Sequence, residues 1–168
     1  MIHLYYGDGK GKTTAAMGLA LRAVGHGRRV VIVQFLKNGK SGELAPLKQL
    51  GACVFSGEAG TKFFSKMSEE ERAETRRLND ENLERALEMP SDVLIFDEAC
   101  AACRLGMVDE ERLRDFVTAG ETADKPEIVL TGRQPADWMF EAADYITEMR
   151  ARRHPYEEGV RARAGIEF

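Results

Sequence analysis

Near its amino terminus the chain reads Gly7-Asp8-Gly9-Lys10-Gly11-Lys12-Thr13-Thr14. A short apolar run, residues 2–6, precedes this stretch, and an apolar helical pattern, residues 15–21, follows it. A strand, a glycine-rich loop and a helix in this order form the context in which a phosphate-binding loop works. Glycines accept the positive φ angles that let backbone N–H groups curve around an anion, and the helix amino terminus attracts the same charge. The stretch therefore predicts a site for the phosphates of a nucleoside triphosphate.

Two side chains of this loop have the chemistry that such a site needs. Lys12 would place a positive charge on the phosphates, and the hydroxyl of Thr13 would complete the ligand shell of a magnesium ion. The standard pattern G-x-x-x-x-G-K-[ST] places its first glycine at position 6, where this chain has Tyr6. The alternative is a glycine-rich turn with incidental lysines, and the flanking strand and helix favour the nucleotide site over it.

The composition is that of a soluble globular protein. With 168 residues, 43% of them hydrophobic and 31% charged, the chain is expected to form one domain, residues 1–168, around its own core. The net charge of -4 argues against a general affinity for nucleic acids. We expect no membrane span and no signal peptide, since no apolar segment has the required length. Three cysteines fit reduced thiols in the cytoplasm.

The apolar runs predict an α/β protein, a mostly parallel sheet with helices on both faces. Continuous runs, such as residues 29–35 and 92–98, are typical of parallel strands buried on both faces. Ser68, followed three residues later by Glu71, forms a capping box and predicts a helix that continues to Pro90. Further strands are predicted at residues 2–6, 52–55, 127–131 and 145–149, and further helices near Glu43, at Glu110 to Ala119 and from Pro135.

An acidic pair, Asp97 and Glu98, ends the apolar run at residues 92–98. Carboxylates at the end of a buried strand need a cation or water, because an unpaired buried charge is strongly unfavourable. A metal ion held between Thr13, one of these acids and the triphosphate oxygens would satisfy them. The pair alone is a weak signal, but behind a glycine-lysine-threonine loop it indicates a nucleotide-bound magnesium ion.

Two further features each allow two interpretations. Phe63 and Phe64 lie in a glycine-bearing loop and either anchor it to the core or contact a ligand. Cys100 and Cys103 are three residues apart, a spacing that places both thiols on one helix face. No second pair completes a four-cysteine zinc site, so small packing residues are favoured over redox or metal chemistry.

Five segments of the sequence carry a family resemblance. In this order they resemble the phosphate-loop type of ATP:corrinoid adenosyltransferase, and the resemblance extends over essentially the whole chain. The segments are Gly7-Asp8-Gly9-Lys10-Gly11-Lys12-Thr13-Thr14, Val33-Gln34-Phe35-Leu36-Lys37, Asp97-Glu98, Thr131-Gly132-Arg133, and a tail with Glu148-Met149-Arg150, His154-Pro155-Tyr156, Gly159 and Gly165-Ile166-Glu167-Phe168.

This resemblance implies a P-loop NTPase-like (RecA-like) fold and a specific reaction. The 5′-deoxyadenosyl group of ATP would pass to the cobalt(I) of a corrinoid such as cobalamin or cobinamide, and triphosphate would leave. The resemblance also implies a homodimer, Mg²⁺ or Mn²⁺ with the ATP, and an ATP molecule that lies in the loop in the reverse of the usual direction. A flavoprotein is a candidate for the reductant that supplies cobalt(I).

The resemblance also implies roles for the charged residues of the site. Lys12, Thr13 and Glu98 would be the catalytic groups, with Lys10 and the loop amides also addressing the triphosphate. Thr13, Asp97 and Glu98 would contact the metal ion.

Two arginines are further candidates for anion contacts. Arg133 follows a strand end, and Arg22 lies in the helix after the loop, where it could equally be a solvated helix residue. The full set expected to bind nucleotide or corrinoid is Gly7, Asp8, Gly9, Lys10, Gly11, Lys12, Thr13, Thr14, Arg22, Lys37, Phe63 and Arg133.

The sequence departs from the family pattern in two places. No long extension precedes the first strand, so a lid formed by such a segment in relatives is not expected. Some relatives carry a Phe-x-Trp pair that wedges against the corrinoid, and this chain has Phe63-Phe64-Ser65 instead. We therefore expect a preference for corrinoids without a lower nitrogen base. A small-molecule kinase and a non-catalytic nucleotide or corrinoid regulator are the alternative functions, and the phosphate product distinguishes all three.

Overall fold

The fold is a single parallel sheet between two layers of helices. The computed structural model describes residues 1–57, 64–120 and 125–167. In these ranges the strands are β1 (Ile2–Tyr6), β2 (Val30–Gln34), β3 (Cys53–Ser56), β4 (Val93–Asp97), β5 (Glu127–Gly132) and β6 (Tyr145–Glu148). The helices are α1 (Lys12–Gly25), α2 (Leu44–Gln49), α3 (Glu69–Leu87), α4 (Ala99–Arg104), α5 (Glu110–Thr118) and α6 (Asp137–Ala142).

The strand order is β3-β2-β4-β5-β1-β6, and every pairing is parallel. All carboxyl ends of the strands therefore lie at one edge of the sheet, the edge at which ligands bind in open α/β sheets. Strand β5 separates β1, which leads into the glycine loop, from β4, which ends at Asp97. The parallel three-layer architecture expected from the sequence is confirmed.

Each face of the sheet has its own apolar core. On one face the helix α1 packs Ala16, Met17 and Ala20 against residues of β2, β4 and β5. On the other face the helices α3, α5 and α6 cover the sheet. Residues of this second core include Leu83, Leu113, Val117 and Met139 from the helices and Leu4, Leu94 and Phe96 from the strands. The neighbouring interior strands β2 and β4 are buried along their whole length, which explains their continuous apolar sequences.

The long helix α3 begins as its capping box predicts. Ser68 Oγ accepts a hydrogen bond from the amide of Glu71 at 3.2 Å, and the Glu71 carboxylate accepts one from the Ser68 amide at 2.8 Å. The helix ends at Leu87, three residues before the predicted stop at Pro90. The residue before a proline is disfavoured in the helical conformation, and the chain leaves the helix before that position.

Among the described helices, we found no segment with the length and apolar character of a membrane span.

Candidate nucleotide-binding site

The glycine loop joins β1 to the amino terminus of α1. Gly7 and Gly11 both have φ 117°, a left-handed conformation that side chains other than glycine rarely adopt. Gly11 caps α1, so the first amides of this helix have no intrahelical acceptor and point out of the helix end. This is the geometry of an anion site at a helix amino terminus.

The backbone that follows β6 closes one side of the loop. The amide of Gly9 donates to the carbonyl of Met149 at 2.7 Å, and the amide of Met149 donates to the carbonyl of Tyr6 at 2.8 Å. A Cβ atom would lie 2.3 Å from Met149 O if placed on Gly7 and 2.7 Å from it if placed on Gly9. Glycine is required at both positions because this neighbouring backbone leaves no room. Tyr6, which stands where the standard pattern has its first glycine, is the last residue of β1, so the tight part of the loop begins only at Gly7.

Lys12 lies inside the loop and is almost completely buried. Its Nζ atom donates to the carbonyl of Gly9 at 2.6 Å, so the side chain folds back over the loop. Burial lowers the pKa of Lys12 from its ordinary value, and the positive charge of Arg133 lowers it further, while nearby carboxylates act in the opposite direction. An anion bound in the loop would meet this ammonium group directly.

Asp97 is fully buried and accepts four hydrogen bonds. Its Oδ1 accepts from the hydroxyls of Thr13 at 2.8 Å and Thr131 at 2.7 Å. Its Oδ2 accepts from Lys37 Nζ at 2.6 Å and Gln34 Nε2 at 3.2 Å. A carboxylate has about four acceptor positions, so Asp97 is saturated within the protein. Asp97 thus orients Thr13 and Lys37, and its direct contact with a metal ion stays a prediction.

Glu98 is the second acid of the pair and has a different environment. It has φ 61°, an uncommon conformation for a residue other than glycine. Burial raises the pKa of Glu98, the charge of Asp97 raises it further, and Lys37, Lys12 and Arg133 oppose this rise. Glu98 thus lies near three cations of the site, whereas Asp97 is bonded directly to one of them, Lys37.

Backbone strain in the described ranges concentrates at the same edge of the sheet. The positive-φ residues other than glycine are Leu36, Glu98 and Gln134, which follow the ends of β2, β4 and β5. Such conformations cost of the order of 1–3 kcal/mol each and cluster at functional sites. Their location at three neighbouring strand ends supports this edge as the site.

Several other predicted residues also lie around the loop. Lys10 Nζ donates to the carbonyl of Ile166 at 2.7 Å, and Arg133 Nη2 donates to the carbonyl of Asp8 at 3.3 Å. A cavity of 680 Å³ opens beside the start of α1. It is lined by Thr13, Thr14 and Met17, by residues 36–38 and 41–43, and by Gly165, Ile166 and Glu167 of the tail. The structure therefore brings the predicted lysines and threonines together.

Arg22 is not brought to the loop. It lies in the last turn of α1, which rises about 1.5 Å per residue and so places it roughly 15 Å from Lys12. Its side chain instead lines a separate cavity of 690 Å³ with His26, Arg28 and Asp92. The contact of Arg22 with the nucleotide stays a prediction, and the alternative interpretation as a solvated helix residue fits its exposed position.

The aromatic loop is described only in part. Phe63 lies outside the described residues. Phe64 begins a short 3₁₀ helix and is half-buried, and the guanidinium of Arg72 lies 4.4 Å from the centre of its ring. Ser65 is exposed.

The two neighbouring cysteines are buried on α4, beneath the site. Burial raises the pKa of Cys100 to about 12 and raises that of Cys103 as well, so both are protonated thiols at neutral pH. A Cβ atom on Gly132 would lie 2.7 Å from Cys100 Cβ, which shows how closely β5 packs on this thiol. Both residues have the packing environment that the sequence interpretation favoured.

Two residues of the site, Gln34 and Thr131, were not predicted as site residues from the sequence. Gln34 and Thr131 donate to Asp97, and each is a fully buried polar side chain near the end of an apolar strand. A polar residue at that place in a buried run is a usable signal, because it must find a hydrogen-bond partner. The sequence does not identify Asp97 as that partner, because the strand order is needed to know which strands are neighbours.

The fold and the loop together define a nucleotide-binding α/β protein of the P-loop class. The family model described as ATP:corrinoid adenosyltransferase BtuR/CobO/CobP matches residues 1–168. The chain therefore belongs to this family.

Curated relatives of similar length support the assignment. The chain is 31% identical to the corrinoid adenosyltransferase of Pseudomonas aeruginosa, with 98% of this chain and 82% of the relative covered. It is also 31% identical to that of Escherichia coli K12, with 100% and 85% covered. A third relative, from a Sinorhizobium species, is 32% identical, with 96% and 77% covered.

Proposed function

We propose that this protein transfers the 5′-deoxyadenosyl group of ATP to the cobalt(I) of a corrinoid and releases triphosphate. The observation that carries the proposal is the loop of residues 7–14, in a chain that matches the family over its whole length. Within this loop Lys12 is buried and Thr13 is fixed by a hydrogen bond to Asp97.

The reaction makes limited demands on the protein. The electron pair of cobalt(I) attacks the C5′ atom of ATP, a cobalt–carbon bond forms, and the C5′–oxygen bond breaks. The electrons of the broken bond leave with the triphosphate, so no strong base is required. The protein has to orient the ATP and stabilise the charge that develops on the leaving group.

Positive groups of this chain surround the place where the leaving group would lie. Lys12 and the free amides at the start of α1 address the same anion. Lys10, also a residue of the loop, donates to the tail carbonyl of Ile166 and would add a second positive charge. Charges fixed before the reaction stabilise a transition state without reorganisation cost.

A divalent cation fits a small set of residues here. In the described ranges no three His, Cys, Asp or Glu side chains form a metal site, so an ion would depend largely on the phosphates and water, as Mg²⁺ does. The hydroxyl of Thr13 donates a hydrogen bond to Asp97 and accepts one from Lys37 at 3.3 Å, which leaves one lone pair of its oxygen available, and Glu98 supplies a carboxylate nearby. We propose that Thr13 and Glu98 hold Mg²⁺ or Mn²⁺ and that Asp97 positions Thr13. The ion would neutralise charge on the triphosphate.

Other parts of the proposal depend on the family resemblance. The protein would act as a cytoplasmic homodimer, with ATP lying in the loop in the reverse of the usual direction. A flavoprotein would supply the electron that makes cobalt(I). Because Ser65 replaces the tryptophan of relatives, we propose that corrinoids without a lower base, such as cobinamide, react faster than complete cobalamin.

Product analysis tests the proposed function. The protein would be incubated with ATP, Mg²⁺ and a chemically reduced corrinoid, and the phosphate products would be separated by ion-exchange chromatography. We expect triphosphate and an adenosylated corrinoid in equal amounts. ADP as the product would indicate a kinase or an ATPase, and nucleotide binding without any product would indicate a regulator. Thr13→Ala should lose the activity, while Thr118→Ala, a change at the exposed end of α5, should keep it.

A further inference from the structure

A second cavity, of 800 Å³, lies against the first residues of the phosphate loop. Four arginines contribute to its lining, and we call it the arginine cavity. Its lining residues are Tyr6, Gly7, Asp8, Arg104, Arg133, Gln134, Pro135, Phe140, Glu148, Arg150, Ala151 and Arg152. It shares none of these with the cavity beside Thr13 and Lys37, so the two cavities are distinct.

The charges of the arginine cavity do not balance. Its four arginines face two carboxylates, those of Asp8 and Glu148, which leaves an excess of two positive charges. Arg150 forms an ion pair with Glu148 at 2.6 Å, which uses one carboxylate. Asp8 Oδ1 accepts from the amide of Ala151, and the pKa of Asp8 is lowered mainly by this bond. The acids of the cavity are thus already engaged.

Two of the guanidinium groups have no partner within the described part of the chain. Neither Arg104 nor Arg152 makes a hydrogen bond or an ion pair there, and both side chains are exposed. Arg104 lies in the last turn of α4, where a cation is favourable for the helix dipole. No such helix end explains Arg152. Both groups are available to an anion that enters the cavity.

One wall of the arginine cavity is apolar. Tyr6 and Phe140 lie edge to face with ring centres 5.0 Å apart, and Pro135 lines the cavity beside them. A phosphate group alone would make no favourable contact with an aromatic wall. A flat, largely apolar ring with anionic substituents would use both the wall and the arginines.

We propose that the arginine cavity is a second oxyanion site, distinct from the cavity beside Thr13, that binds carboxylate side chains at the periphery of the corrinoid. This inference rests on the proposed function and narrows it. Arginine binds carboxylates through two parallel hydrogen bonds, so the site distinguishes free carboxylates from neutral amides. The protein therefore favours corrinoids whose side chains are still acidic.

Binding without turnover tests this inference. Cobyrinic acid, in which the peripheral side chains are carboxylates, is compared with its fully amidated form, both with cobalt(II) and without a reductant. Isothermal titration calorimetry in the presence of saturating ATP and Mg²⁺ gives the affinity for each. We expect the acid form to bind at least about tenfold more tightly than the amide form, the effect of roughly one charge-assisted hydrogen bond.

The variant Arg104→Gln/Arg152→Gln should reduce this preference to less than about threefold, with the affinity for ATP unchanged. Arg153→Gln is the matched control, because Arg153 is an exposed neighbour of the same charge that does not line the cavity. It should keep the preference of the wild type. Circular dichroism melting of each variant establishes that the fold is intact.

Three results would overturn the inference. The first is equal affinity of the wild type for both corrinoids, and the second is a preference that persists in the double variant. The third is a loss of ATP affinity in the double variant without a change in preference, which would assign the site to a nucleotide phosphate. If the amide form binds equally well and is adenosylated on reduction, only the arginine cavity fails. If neither corrinoid binds, the proposed function fails with it.

Discussion

Lys37 Nζ donates to Asp97 Oδ2 at 2.6 Å, and the acceptor is completely buried whereas a quarter of the lysine side chain is exposed. The same ammonium group lies 3.3 Å from Thr13 Oγ1. Lys37 therefore supplies the positive charge that the buried carboxylate requires, at the point where the loop, β2 and β4 meet. The pair couples the stability of the fold to the geometry of the site.

Removing this lysine should destabilise the protein. In Lys37→Met the charge of Asp97 stays buried without its partner, and we expect a loss of about 2–3 kcal/mol, below the range for fully buried pairs. Urea denaturation measures the loss. Lys40→Met, a change at an exposed lysine of the same loop, should stay within about 0.5 kcal/mol of the wild type. The double variant Lys37→Met/Asp97→Asn should lose less than the sum of the single changes, and an additive result would contradict the pairing.

Lys12→Ala should keep the fold and lose most of the activity. A positive group that stabilises a leaving group contributes about 2.7–4 kcal/mol to the transition state, or roughly a 10²- to 10³-fold change in rate. Steady-state kinetics of corrinoid adenosylation measures this effect. Lys48→Ala, on the exposed face of α2, serves as the control. A rate for Lys12→Ala within about threefold of the wild type would show that the triphosphate does not lie in this loop.

Glu98→Gln should make the protein more stable at neutral pH. Burial raises the pKa of Glu98 from its ordinary value of 4.5, so the folded state keeps this proton to a higher pH than the unfolded chain. Between these two pKa values the folded state binds more protons, and its stability falls as the pH rises. Glutamine removes this cost, because it stays neutral.

The stability difference between Glu98→Gln and the wild type should therefore be largest above the folded pKa and vanish below pH 4.5. Thermal melting of both proteins from about pH 4 to about pH 8, a range that begins near the ordinary pKa of a glutamate, would measure this difference. Glu141→Gln, at an exposed glutamate of α6, should show no such dependence. The stabilised Glu98→Gln should also lose Mg²⁺-dependent activity. A variant that melts below the wild type at pH 8 would be incompatible with a buried, costly charge.

Gly9→Ala tests the contact between the loop and the chain after β6. Its Cβ atom would lie 2.7 Å from the carbonyl oxygen of Met149 and 2.8 Å from the backbone of Arg150, so the loop must move. We expect lower stability and weaker triphosphate binding, by calorimetry. Gly18→Ala is the matched control, because nothing lies within 4 Å of the added atom. It should stabilise α1 by about 0.5–1 kcal/mol. Normal triphosphate binding by Gly9→Ala would show that this contact does not shape the loop.

The architecture could be predicted from the sequence because the buried strands are visible as local apolar runs. Residues 29–35 and 92–98 are continuous apolar runs, and the structure has β2 and β4 there. The phosphate loop is also a local signal, since its glycines, Lys12 and Thr13 are contiguous. Predicted boundaries differ by one to three residues, as at Leu87, where the final turn of a helix depends on tertiary contacts rather than on propensity.

The partners of Asp97 could not be predicted, because they depend on strand order. Gln34 and Thr131 come from β2 and β5, and only the sheet topology makes these strands the two neighbours of β4. The position of Arg22 shows a related limit of sequence distance. Arg22 follows the loop closely in sequence, but each further residue of a helix lies farther away along its axis.

The contact between the loop and Met149 also has a consequence for biosynthesis. Strand β1 pairs only with β5 and β6 in the described sheet, and Asp8 bonds to Ala151, 143 positions later in the chain. During synthesis residues 7–14 are made long before residues 149–151, whose backbone shapes them. A chain that ends before Met149 therefore holds the loop sequence without the contacts that Gly9 makes with Met149 and Asp8 makes with Ala151.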